Sequence, residues 1–135
     1  MIKMKYVGDL RVECAHEPSG AKITTDAPVD NRGKGEGFSP TDLCATSLAA
    51  CVMTIMGIYA RDHGIDLSGT EIEVRKHMTT SGPRRIGEID VVFHMPDRFF
   101  PGKEKLILER MARSCPVHLT LDKEVIQHFT FLWKD

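Results

Sequence analysis

This 135-residue sequence has no marked excess of either charge. Lys and Arg number 18 and Asp and Glu 19, a formal net charge of -1, so no global field is present to hold nucleic acid or an anionic membrane. Cysteine is also scarce. Four residues, at positions 14, 44, 51 and 115, are too few and too scattered for a disulfide-stapled scaffold, and a chain of this length can bury an ordinary core. The opening MIKMKYVGDL lacks the basic start, apolar stretch and small-residue cleavage site of a secretory signal, so the cytoplasm is the expected compartment and reduced thiols the expected resting state. No G-x-x-x-x-G-K-S/T phosphate loop, G-x-S-x-G elbow or G-x-G-x-x-G fingerprint occurs, and neither C-x-x-C nor H-x-x-x-H. Cys115-x-x-His118 has no second pair at ligand spacing, so neither a metal nor a cofactor is expected. With 41% hydrophobic and 27% charged residues, the chain fits one globular domain over residues 1–135.

Three short stretches mixing β-branched and polar residues, Ile2 to Val7, Leu10 to Cys14 and Ala21 to Thr25, are separated by Gly8-Asp9 and by Pro18-Ser19-Gly20, which predicts an antiparallel meander. From Ala27 to Phe38 large apolar side chains almost vanish and Pro28, Asp30, Asn31, Gly33, Gly35 and Gly37 make a loop. Ser39-Pro40-Thr41-Asp42 then offers an N-cap, a proline at N1 and a carboxylate at N3, opening a helix that closes at Gly64. Between these signals Leu43 to Ala60 is apolar or small nearly all the way round, broken only by Thr46, Ser47 and Thr54. A helix without a polar face is buried in a core, an oligomer interface or a membrane. A run of about 18 residues covers roughly 27 Å, just short of a bilayer core of about 30 Å. This run is rich in Ala, Ser, Thr, Cys and Gly, and the amphipathic strands around it need a soluble core to face. A homodimer that covers the helix is therefore the expectation.

Thr70 to Thr79 and Ile86 to Met95 alternate through Ile72, Val74, Ile89, Val91 and Phe93, with Ser81-Gly82-Pro83 between them, and predict a second hairpin. Lys103 to Ser114 carries Leu106, Ile107, Met111 and Ala112 at helical spacing. Ser114-Cys115-Pro116 breaks that helix and starts a new turn with Pro116 at N1. Glu124 to Trp133, with Val125, Gln127, Phe129, Phe131 and Trp133 alternating, reads as a last strand.

The cysteines separate by setting. Cys51, in the middle of the apolar helix, reads by itself as a small buried hydrophobe. Cys44 lies seven residues earlier; two helical turns put about 10.5 Å between them, which excludes a disulfide within a regular helix. Cys44 and Cys14 read as packing residues. Cys115 stands at a helix break where amide N–H groups can face its sulfur and favour thiolate, the bland alternative being a substitute N-cap. Arg32, in Asp30-Asn31-Arg32-Gly33, reads by itself as a solvated surface charge.

The combination, in order, of Arg32, Ser39-Pro40-Thr41-Asp42-Leu43 opening an apolar helix, Leu48-Ala49-Ala50-Cys51 inside it, and Ser114-Cys115-Pro116-Val117-His118 resembles the OsmC/Ohr family of osmotically inducible and organic hydroperoxide resistance proteins. The resemblance spans nearly the whole chain. It implies an α+β fold with antiparallel sheets around a long buried central helix, in an intertwined homodimer. It also implies a peroxidatic Cys51, a resolving Cys115, and an arginine, Arg32, that holds the reactive thiolate and the peroxide; Arg11 on an early strand is the alternative partner. Thr41 stands where these enzymes carry the glutamate that orients the arginine, with Asp42 one residue along and available for capping. The implied activity is reduction of organic hydroperoxides with electrons from a dithiol, small molecule or protein, without nucleic acid or membrane as partner. The alternative is a non-catalytic dimer of the same fold that binds or senses a small apolar ligand.

Overall fold

A computed structural model describes residues 1–134, which fall into two compact units, one from Met1 to Cys44 and one from Ala45 onward. In the first, β1 (Ile2–Gly8), β2 (Arg11–His16) and β3 (Ala21–Thr25) form an antiparallel sheet in the order β1-β2-β3. The β1–β2 turn is Asp9-Leu10, both with positive φ (53° and 61°), the geometry that matches the twist of a two-residue hairpin. Leu10 thus belongs to the turn, and the second strand starts one residue later than its apolar side chain predicts.

The register places Met4, Cys14 and Ile23 on one sheet face with Ile2, Tyr6 and Val12, while Lys3, Lys5, Glu13 and Lys22 take the other. That apolar face is uncovered in the single chain: Ile2, Met4 and Tyr6 are 63–65% exposed.

The loop after β3 is held by one buried carboxylate. Asp26 accepts from its neighbour Ala27 N–H (2.8 Å), from Glu36 N–H across the loop (3.0 Å) and from the Arg11 guanidinium (3.5 Å), and Arg11 also pairs with Glu36. The Asp26 N–H donates to the Phe38 carbonyl (3.0 Å), and a Cβ at Gly33 would run into the Ala27 carbonyl, so the loop folds back tightly on its own start. A single 3-10 turn at Val29–Asn31 lies within it.

Helix α1 (Pro40–Asp62) begins as its sequence predicts. Ser39 Oγ accepts from the Asp42 N–H (3.0 Å) and Asp42 Oδ2 from the Ser39 N–H (2.9 Å), a reciprocal capping box. Beyond the helix end, Gly64 takes the left-handed conformation (φ 68°). Burial of α1 is one-sided: Ala45, Leu48, Ala49, Val52, Met56 and Ala60 are buried, whereas Ser47, Ala50, Thr54 and Ile58 are exposed. By length and composition α1 could cross a membrane, but its most apolar window is 33% buried within the protein itself.

In the second unit β4 (Glu71–Met78) and β5 (Ile86–His94) form the expected hairpin, followed by α2 (Gly102–Ala112), α3 (Pro116–Thr120) and β6 (Ile126–Leu132). The sheet order is β4-β5-β6, and β6 runs parallel to β5, a correction to the expectation of purely antiparallel sheets. The physical reason is the connection: α2 and α3 carry the chain back across, as a parallel neighbour requires. Inward residues of β5, Ile89, Val91 and Phe93, join the buried face of α1 and Leu108 and Ala112 of α2 in one core, with Phe93 stacked on Phe131 at 4.8 Å.

The Asp26 carboxyl lies below its ordinary value of 3.8, chiefly because of the Glu36 N–H, with Ala27 N–H and Arg11 adding and burial opposing. A depressed folded-state pKa contributes stability that is complete above the unfolded value and is lost as pH falls through the folded one. Asp26→Asn is therefore expected to destabilise the protein at neutral pH and to flatten the fall in stability below about pH 4, read from urea melts across pH; parallel wild-type and variant curves would show that Asp26 does not anchor this loop.

Candidate functional site

Two of the four cysteines meet. Cys51 lies on α1 beside Val52 of the buried face and is itself half-buried. Cys115 is completely buried at the entrance to α3. Its position follows from Pro116 at N1: a residue before proline is driven to extended backbone, here φ -61° and ψ 127°, and at an N-cap that backbone turns the side chain toward the first helical amides. The Cys115 sulfur accepts from the His118 N–H at 3.3 Å, so a thiol fills the place usually taken by Ser or Asp.

The Cys51 and Cys115 side chains interact, and the Cys115 thiol is pushed above its ordinary value. Burial is the largest cause and the Cys51 contact the next; the His118 and Val117 amides pull the other way, and charge on Cys51 adds to the rise. The expectation that helix-start amides would make Cys115 a ready thiolate is thereby corrected. The amides are present, but loss of solvation outweighs them. Cys115 is a thiol at neutral pH, poised to donate to or react with its neighbour.

The support around Cys115 is polar on one side and aromatic on the other. Gln127 of β6 donates from Nε2 to the His118 carbonyl (3.2 Å) while its Oε1 faces His118 Nδ1 (2.7 Å). With the Gln127 amide oriented by that first bond, Nδ1 carries the ring proton. The His118 ring sits 5.4 Å from Phe129, which also faces the Arg113 guanidinium at 5.5 Å and the Phe93 ring at 6.5 Å. Gln127 is a determinant that sequence reading assigned only to a strand. Its signal was a polar residue in the inward alternation of Val125, Phe129 and Phe131, where a buried amide needs a partner.

The remaining sequence candidates are placed as follows. Arg32 is exposed and ends the 3-10 turn in the left-handed conformation (φ 69°), unusual for a residue with a side chain. Arg11 is engaged by Asp26 and Glu36, and these carboxylates raise its pKa further. Thr41 Oγ1 lies 3.1 Å from Ser39 Oγ, and Asp42 is engaged in the capping box. Cys14 lies on β2 with its sulfur 3.8 Å from the Val12 carbonyl, and Cys44 is half-buried in α1; no cysteine is in a disulfide.

An α+β chain whose two distant cysteines meet at a helix N-cap under a long apolar helix matches a known family. The model of the OsmC-like protein family matches residues 33–128, and the chain belongs to this family. Among solved structures it is similar to a protein of Psychrobacter arcticus provisionally described as an osmotic stress induced and detoxification response protein, with 44% identity, a TM-score of 0.91, and coverage of 97% of this chain and 94% of that one. The organic hydroperoxide resistance protein OsmC of Legionella pneumophila (18% identity, TM-score 0.74, 98% and 96% covered) shares the fold. So does OhrB of Bacillus subtilis, an organic hydroperoxide resistance protein, at 18% identity and a TM-score of 0.71, with 98% and 96% covered. No curated protein sequence matches this chain. Arg32 and Arg11 precede the stretch matched by the family.

Because Cys51 raises the Cys115 pKa and burial raises it more, Cys51→Ala in a background of Cys14→Ser and Cys44→Ser is expected to lower the Cys115 titration midpoint while leaving it above that of a free thiol at about 8.5. Thiolate absorbance at 240 nm measures it. A midpoint unmoved by Cys51→Ala would mean that the two sulfurs do not interact.

Proposed function

We propose that this protein is a two-cysteine peroxidase that reduces organic hydroperoxides. The observation that carries the reading is that Cys51 packs against the apolar core holding Cys115 and interacts with it. The Cys51 thiolate attacks the outer peroxide oxygen, the O–O bond breaks, alkoxide leaves and takes up a proton as alcohol, and Cys51 becomes sulfenic acid. The Cys115 sulfur then attacks the Cys51 sulfur, expelling water and forming the disulfide. A dithiol, small molecule or protein, returns two electrons and two protons. Arg32 is assigned to hold the thiolate and the departing alkoxide, Arg11 being tied to two carboxylates. Thr41 and Asp42 are assigned supporting roles at the helix start. The cycle needs reduced thiols at rest, which fits a cytoplasmic protein, and requires no metal or cofactor.

A second reading, a non-catalytic dimer of this fold that binds or senses a small apolar ligand, is favoured by one observation. Thr41 occupies the position where the family resemblance expects a glutamate, and Asp42 spends its carboxylate on the Ser39 amide. The same experiment separates the two. With one equivalent of cumene hydroperoxide, mass spectrometry is expected to find a Cys51 to Cys115 disulfide in the wild type, and Cys115→Ser is expected to accumulate sulfenic and then sulfinic Cys51. Cys51→Ser is expected to abolish turnover. Arg32→Ala is expected to slow Cys51 oxidation at least tenfold, equivalent to about 1.4 kcal/mol of charge stabilisation. Sulfurs that stay reduced in the wild type would favour the binding module, and a bridge to Cys14 or Cys44 would overturn the assigned pair.

We also propose a homodimer. The support is the apolar face of β1, β2 and β3, exposed at Ile2, Met4, Tyr6 and Ile23, together with the exposed side of α1 at Ala50 and Ile58. Leaving such surface in water costs about 25 cal/mol per Å². Sedimentation equilibrium at low micromolar concentration is expected to give a dimer; a folded monomer there would overturn this assembly.

A further inference from the structure

The outward face of the β4-β5-β6 sheet carries a cluster that the cysteine chemistry does not use. Glu88 and Asp90, two apart on β5, project to the same side. In register, His77 of β4 stands opposite Glu88, and His128 of β6 opposite Asp90. The observed bonds cross this register: His77 Nε2 lies 2.8 Å from Asp90 Oδ2, and His128 Nε2 lies 2.7 Å from Glu88 Oε1. The potential ligand atoms of His77, Glu88 and Asp90 all fall within 4.8 Å of one another. The side chains are accessible from one side, 50% exposed for His77, 36% for Asp90 and 35% for Glu88.

A further pair on the same face, His94 Nε2 and Glu73 Oε2 at 3.0 Å, shows what an isolated contact between these residue types looks like. Among the described residues it has two members and no third ligating group. The cluster differs because two carboxylates stand side by side on a central strand within reach of the His77 imidazole, which gathers three ligand atoms in one place. Arg75, opposite Asp90 in register, supplies one positive charge to the two negative ones.

We propose that His77, Glu88 and Asp90 form a binding site for a divalent transition cation of the zinc type, with His128 donating to Glu88 and orienting it. One imidazole and two carboxylates are a donor set that Zn²⁺ accepts, and the open side leaves room for water in the remaining position. Ligand atoms held tetrahedrally at about 2.0–2.2 Å lie about 3.3–3.6 Å apart, closer than the 4.8 Å within which they now fall. Side-chain rotation in these half-exposed residues closes the remaining gap on a sheet whose backbone already fixes the spacing. An ion on His77 Nε2 needs that nitrogen without a proton, so protons compete with the ion and affinity falls as pH falls.

The test is binding, not turnover, so its result is independent of the peroxidase reading. Calorimetric titration of the reduced full-length protein with Zn²⁺ is expected to show a saturable site of one ion per chain. His77→Ala and Asp90→Asn are each expected to weaken it at least tenfold, with His94→Ala and Cys51→Ser leaving it unchanged. The Co²⁺ form is expected to lack the strong thiolate charge-transfer absorption. Loss of the site in Cys51→Ser, or thiolate bands with Co²⁺, would place the ion on sulfur and overturn the proposal. Absence of saturable Zn²⁺ binding below about 1 mM, or equal binding of Mg²⁺, would overturn it as well. Circular dichroism of each variant separates loss of the site from loss of the fold.

Discussion

The second unit depends on burying one face of α1. Ala45, Leu48, Val52, Met56 and Ala60 recur at the spacing that lines one side of a helix, and all are buried in the core that β5 and α2 complete. Cys51, adjacent to Val52, is therefore carried to the edge of that core by a constraint that has nothing to do with sulfur. Cys115 reaches the same place from the other direction, as the buried cap between α2 and α3. The meeting of the two thiols is a packing result, and a substitution that opens a cavity beneath Val52 or Leu48 disturbs that meeting without touching a sulfur.

Two electrostatic settings divide the labour. At Cys115 an apolar surround holds a thiol protonated against the pull of two amides. At Asp26 the balance reverses: three donors keep a buried carboxyl ionised against desolvation. The difference lies in the number and strength of donors, because a carboxylate accepts several short bonds at once whereas a sulfur takes few long ones. The loop that carries Arg32 thus has its ends fixed by charge, and Cys115 has its place fixed by exclusion of water.

Local chemistry made much of this legible. Ser39-Pro40-Thr41-Asp42 predicts the capping box that is observed, Cys115-Pro116 predicts an N-cap, and alternation predicts the β4–β5 hairpin. Less legible was whatever depends on pieces distant in sequence. Alternation in Glu124 to Trp133 marks a strand but carries no direction, so the parallel pairing of β6 emerges only from the crossover. The His77, Glu88, Asp90 and His128 cluster escaped a search by local ligand spacing because its members come from three strands. The ionisation of Cys115 was misjudged for a related reason: amides near a helix start can be inferred from the sequence, but complete burial cannot.

The parallel pairing of β5 and β6 has a temporal consequence. The segment that closes it, α2 and α3, delivers Cys115, and β6 delivers the Gln127 that clamps the start of α3. A ribosome that has released the chain only as far as β5 has exposed Cys51 without Cys115 to meet it. Closing so long a connection is entropically slow compared with forming the hairpins on either side of it. The meeting of Cys51 and Cys115 is thus a late event in the life of each molecule, one that marks a chain whose second sheet has closed.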